Sequence, residues 1–166
     1  SLTFYGKKRT KVHVITVYRP CAYNKTLGET TVYMQQQRDL IRHRGRNTNP
    51  WEVLLTDLRD HIIKLHASGD KVILMGDFND DANENNGTIT SFLQTTGLKN
   101  AMIQRHGRVD RLPNTYDRGS KCLDLFAISS GLNDGAIKAA GYLPFYEFFF
   151  SDHRGGFLDI DLNELF

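Results

Sequence analysis

In Lys71-Val72-Ile73-Leu74-Met75-Gly76-Asp77-Phe78-Asn79, a run of apolar residues leads straight into a glycine and a carboxylate. A continuous apolar run of this length suits a strand covered on both faces, the habit of a central strand in an α/β fold. It predicts a strand that ends at Gly76. Asp77 then sits just past the strand's carboxyl end, where open sheets present ligand-binding residues. By position alone, an aspartate there is more often a turn or cap residue.

Upstream, Asn49 can cap a helix, Pro50 suits its first position, and Trp51, Leu54, Leu55, Leu58, Ile62 and Leu65 recur at helical spacing on one face. A thinner apolar stripe of Val32, Leu40 and Ile41 predicts a helix over 30–44. Leu2–Tyr5 and Val12–Tyr18 are β-rich and flank Gly6-Lys7-Lys8-Arg9, which reads as a hairpin whose second strand stops at Pro20. Downstream, a short helix over 89–95 closes at Gly97, and residues 104–121 are polar and basic. Leu123–Ile128 and Phe157–Leu162 read as two further strands, the second alternating cleanly. Strands mixed with helices predict a layered α/β domain.

The 166 residues carry 40% apolar side chains and a net charge of +2, enough for one domain, 1–166, with a core of its own. No apolar run approaches the roughly 18 residues that span a bilayer, which argues against a membrane protein. Aromatic residues at 11% argue against disorder. Cys21 and Cys122 make no disulfide framework and read as reduced thiols, consistent with an intracellular setting. Charge is uneven: residues 1–76 hold 13 basic against 6 acidic side chains, and 123–166 hold 2 against 7. Such blocks suit a surface that meets a polyanion beside a carboxylate pocket, or ordinary solvated faces.

Asp77, Asp124 and Asp152 each lie at a strand terminus or inside an apolar stretch. Burying a carboxylate is costly unless it is paired or bound to a metal. His153 is the candidate partner of Asp124, and Asp152 could hold a divalent cation. With the Asn79 amide as a neutral donor, these residues match the needs of phosphodiester hydrolysis: an activated water, a cation, and donors aimed at developing charge. The six histidines show no HExxH spacing, and no Walker loop, GxGxxG or GxSxG is present.

The ordered set Thr16-Val17-Tyr18-Arg19-Pro20, Gly76-Asp77-Phe78-Asn79, Leu123-Asp124-Leu125-Phe126 and Ser151-Asp152-His153 resembles the endonuclease/exonuclease/phosphatase superfamily, which includes DNase I and the apurinic/apyrimidinic endonucleases. Arg154-Gly155-Gly156 and Thr115-Tyr116-Asp117-Arg118-Gly119 are similar to retroelement-type members. The resemblance implies a DNase I-like sandwich of two packed sheets flanked by helices, incomplete at its N-terminus. It implies metal-dependent phosphodiester hydrolysis, with DNA nicking first and a phosphatase acting on inositol phosphates or similar esters second.

Carried over by position, Tyr18 would contact the scissile phosphate, or else pack beside Pro20. Asp77 would orient or deprotonate the water, and Asn79 would hydrogen-bond the transition state. Asp124 would hold the His153 ring, His153 would face the phosphate, and Asp152 would belong to a Mg²⁺ or Mn²⁺ shell. The family's asparagine and metal-binding glutamate come well before the tyrosine motif, so the match covers about the second half of a family domain. The missing half, or a partner, would cover an exposed sheet face. A non-catalytic nucleic-acid-binding fragment is the alternative of another class. Arg105, Arg108, Arg111, Arg118 and Lys121 lie between two motifs and are read as contacts to a nucleic-acid backbone. Arg38, Arg42, Arg44 and Arg46 read equally as such contacts or as a solvated helix face.

Overall fold

The computed structural model describes residues 1–6, 9–21, 28, 30–45, 48–107, 111–130, 132, 135–148, 150–161 and 163. Strands β1 (Leu2–Tyr5) and β2 (Lys11–Tyr18) form the expected antiparallel hairpin, with Leu2 opposite Val14. Helix α1 (Val32–Arg44) is capped by the Thr31 hydroxyl, which accepts from Met34 N, and α2 (Pro50–Ala67) by the Asn49 side chain, which accepts from Trp51 N. The chain then enters β3 (Lys71–Asp77), α3 (Thr88–Thr96), β4 (Leu98–Asn100), α4 (Ala101–His106), β5 (Asp124–Ser129), β6 (Ile137–Tyr142) and β7 (Gly156–Ile160).

One sheet has the order β1-β2-β3-β5-β4, and β6 pairs with β7 in a second. Strand β3 lies parallel to β2 and antiparallel to β5 at its centre. Its residues alternate between two cores, which explains the unbroken apolar run. Val72 and Leu74 face α2 and α3, packing with Leu58, Ile62, Ile89 and Phe92. Ile73 faces α4 and the small sheet, with Met102, Phe126, Ile128 and Ile137. The architecture is thus two sheets packed together and flanked by helices.

The strand expected to end at Gly76 runs one residue further, because Asp77 pairs with both Tyr18 and Asp124. Gly76 permits this: at φ 148°, a Cβ there would lie 1.8 Å from the Val17 carbonyl oxygen. The strand expected from Leu123 begins at Asp124, and the last begins at Gly156. Leu162, its expected end, lies outside the described residues.

Three elements went unread in the sequence. Strand β4 is only three residues long, and α4 only six, capped by Asn100, whose side chain accepts from Met102 N and Ile103 N. Strand β6 is Ala- and Gly-rich, with weak intrinsic β preference, and is held by its pairing with β7. Leu2, Phe4 and Tyr5 on β1 are all more than half exposed, at the free edge of the main sheet.

Candidate active site

Three adjacent strands bring their polar ends together, Tyr18 opposite Asp77 and Asp77 opposite Asp124. The buried Thr115 hydroxyl accepts from Leu123 N at 2.8 Å and Asp124 N at 3.0 Å, which fixes the start of β5. The segment before β7 returns to the same end through a bridge between Tyr116 and His153, whose rings lie 5.2 Å apart. His153 Nδ1 is 2.9 Å from Asp124 Oδ2, and its Nε2 is 4.0 Å from Asp77 Oδ2. Asp77, Asp124 and His153, distant in sequence, thus share one cluster.

Asn79 closes the turn after β3 with φ 48°, a left-handed conformation that asparagine tolerates better than most residues. Its backbone N–H donates to Asp77 Oδ1 at 2.8 Å. Its Nδ2 donates to Asp77 Oδ2 at 3.1 Å and to the Arg19 carbonyl at 2.6 Å. The Cys21 thiol donates to Asn79 Oδ1 at 3.1 Å. Arg19, to which the sequence reading assigned no role, grips the same turn from below. Its N–H donates to the Asp77 carbonyl at 2.8 Å, and its guanidinium reaches the Phe78 carbonyl at 3.4 Å and Asp80 at 3.1 Å. That guanidinium is buried and stacks 3.7 Å from the Trp51 ring centroid. A charged residue within a strand-terminal motif was the available signal, since so buried a cation requires partners.

Burial raises the Asp77 pKa above the ordinary 3.8, and the nearby Asp124 charge adds to this, while hydrogen bonds from Asn79 and the charge of His153 offset part of it. Burial alone would lower the His153 pKa, but its hydrogen bond to Asp124 and the charges of Asp124, Asp77 and Asp152 outweigh that and raise it above 6.5. Tyr18, 54% exposed, is pushed up by partial burial and by Cys21 and Asp77. The resulting chemistry is a carboxylate of raised basicity facing an imidazole whose own proton affinity is raised.

Potential ligand atoms of Asp77, Asp124 and His153 lie within 4.8 Å of one another. The two carboxylates fit a hard divalent cation. His153 fits less well as a ligand, because Asp124 occupies its Nδ1 and favours its protonated form. Asp152 lies outside this cluster. Its carbonyl accepts from Asp117 N at 2.8 Å, and its charge acts on His153 from the adjacent position.

The basic residues separate by place. Arg118 and Lys121 are exposed in the turn that joins Tyr116 to Asp124. Arg111 donates to the Ser120 carbonyl and braces that turn, whereas Arg105 donates from Nε to the Lys138 carbonyl on β6. Arg108 and Arg46 lie outside the described residues. On α1, Arg38 Nε donates to the Met34 carbonyl and Arg42 pairs with Asp39.

No family model and no curated protein matches the chain. A solved structure does. The fold resembles that of NExo, a 3′ phosphatase from Neisseria, in a structure bound to a product DNA hairpin. The TM-score is 0.53 at 18% identity, over 92% of this chain and 61% of that one. The chain therefore spans less than two thirds of its structural neighbour.

Proposed function

We propose that this chain is the C-terminal part of an endonuclease/exonuclease/phosphatase-type domain, and that it carries out metal-dependent phosphodiester hydrolysis by nicking DNA. The observation that carries this reading is the cluster itself: Asp77 and Asp124 on either side of His153, with His153 Nε2 4.0 Å from Asp77 and Nδ1 2.9 Å from Asp124. Ionised Asp77 would orient the attacking water and take its proton as the water oxygen bonds to phosphorus and the bond to the leaving oxygen breaks. Protonated His153, held by Asp124, would donate to a phosphoryl oxygen as charge builds there. Tyr18, exposed at the rim, would contact the same phosphate.

The Asn79 amide already donates to Asp77 and to the Arg19 carbonyl, so it would reach the transition state by releasing one of these bonds. The Asp77 and Asp124 carboxylates would hold a Mg²⁺ or Mn²⁺ ion that neutralises phosphate charge, and Asp152, which lies outside their cluster, would join its shell only by moving toward it. Arg105, Arg108, Arg111, Arg118 and Lys121 are proposed to follow the nucleic-acid backbone, with Arg118 and Lys121 exposed in the turn between Tyr116 and Asp124.

The test is conversion of supercoiled plasmid to the open circle by the longest natural protein that contains this chain, with Mg²⁺ and with chelator. Nicking that chelator stops and Asp77→Asn abolishes is the expected result. Nicking unaffected by Asp77→Asn would refute the assignment. The neighbour's 3′-phosphatase description favours a second reading, removal of phosphate from a DNA 3′ end. Release of inorganic phosphate from a 3′-phosphorylated oligonucleotide, with the plasmid left intact, would select it.

A further inference from the structure

The 13 residues between β6 and β7 contain an aromatic run that the proposed chemistry does not use: Phe145, Tyr146, Phe148 and Phe150 among those described. Phe148 is 66% exposed and Phe150 fully so, although large apolar side chains seldom cluster in water without a partner.

The loop is nonetheless braced. Its ends meet where Leu143 N donates to the Gly155 carbonyl at 2.7 Å. Arg154 stacks 4.0 Å from the Phe145 ring centroid and donates to the carbonyls of Asn114 and Leu143. Tyr146 has φ 61°, a strained conformation for a bulky residue, and its hydroxyl donates to Asp117 at 2.8 Å. Asp117 N in turn donates to the Asp152 carbonyl. These contacts tie Phe145 and Tyr146 to the segment that bridges to His153, which follows Phe150 by three positions.

We infer that this loop is a stacking platform for unpaired nucleobases beside the phosphate held at His153, so that the preferred substrate presents single-stranded or frayed DNA there. The inference rests on the proposed hydrolytic reading. Aromatic rings alone would suit many partners, but charge narrows the choice. Arg118 and Lys121 are exposed in the turn whose Tyr116 and Asp117 contact the loop and His153. A polyanion can follow these cations while its bases cover the rings. Glu147, exposed within the loop, disfavours phosphate there and leaves the rings to bases. Bases within duplex are already stacked on one another and cannot use such a platform.

The test is fluorescence anisotropy in chelator, with a labelled 12-nucleotide single strand and a blunt hairpin duplex across a salt series. The Phe148→Ser/Phe150→Ser pair should weaken single-strand binding by about tenfold or more, because each lost ring removes a stacking surface for a base. Duplex affinity and the salt slope should stay unchanged. Tyr146→Phe, which frees the loop from Asp117, should give a smaller loss of the same kind.

Equal single-strand binding by parent and double variant would overturn the inference. So would equal losses on both DNAs, or a variant that only breaks up self-association in sedimentation. A parent that nicks plasmid but shows no aromatic effect sinks this inference alone. Selective binding through the rings without hydrolysis sinks only the hydrolytic reading, and a parent that binds no DNA overturns both.

Discussion

Asp77 and His153 have pKa values displaced in the same direction, and two pH dependences follow. Activity should rise as Asp77 loses its proton, above the ordinary 3.8, and fall as His153 loses its own, above 6.5. A pH–rate profile that is flat across both ranges would contradict the roles. For stability, a folded pKa above the unfolded one favours the folded state fully below the unfolded value, and that gain is lost as pH rises through the folded value. In chelator, the Tm excess of the parent over His153→Ala should therefore be largest below about pH 6.5 and shrink above it. Thermal melts at several pH values check this, and an excess that grows with pH would contradict it. Asp77 and Asp124 were legible as chemistry because each sits where an apolar pattern breaks, and His153 as the candidate partner of Asp124 beside Asp152. Thr115 and Cys21 were not legible as contacts of the site, and Arg19 only as a charge in a strand-terminal motif, since their hydrogen bonds exist only after distant strands pair.

At the scale of elements, the site depends on the close approach of β2, β3 and β5. Gly76→Ala forces a Cβ against the Val17 carbonyl at a positive φ, and should cost at the top of the usual 0.5–3 kcal/mol range or beyond. Denaturant unfolding measures this directly, and a near-neutral outcome would mean that the β2–β3 register is wrong. Arg19→Met removes the buried partner of a part-buried ion pair and should cost about 1–3 kcal/mol. Alongside the lost stability, it should lower kcat more than it raises KM, because the turn that carries Asp77 and Asn79 loses its clamp. Long, strongly patterned elements such as β3 and α2 could be read from sequence alone. Strand β4, helix α4 and strand β6 are short or built from weak formers, and tertiary contacts create them.

Over the whole molecule, two features concern partners. Arg118 and Lys121 are exposed in the turn between Tyr116 and Asp124, and replacing both with alanine should flatten the log–log salt dependence of DNA binding by about two phosphate contacts, each worth about 0.9 in slope. Arg38 and Arg42, engaged within α1, should leave the slope unchanged when replaced. Strand β1 lies at the edge of the main sheet and exposes Leu2, Phe4 and Tyr5, and such an edge can pair with another chain. Residues 1–166 alone should therefore self-associate, and Phe4→Lys should reduce this in sedimentation. The proposed binding of a cation at the carboxylates of Asp77 and Asp124, beside His153, can be tested without any turnover. NMR of the imidazole resonances during titration with paramagnetic Mn²⁺ should broaden His153 first among the chain's six histidines, with His13, His43, His61, His66 and His106 still sharp. Prior broadening of another histidine, or no selective broadening at all, would contradict it.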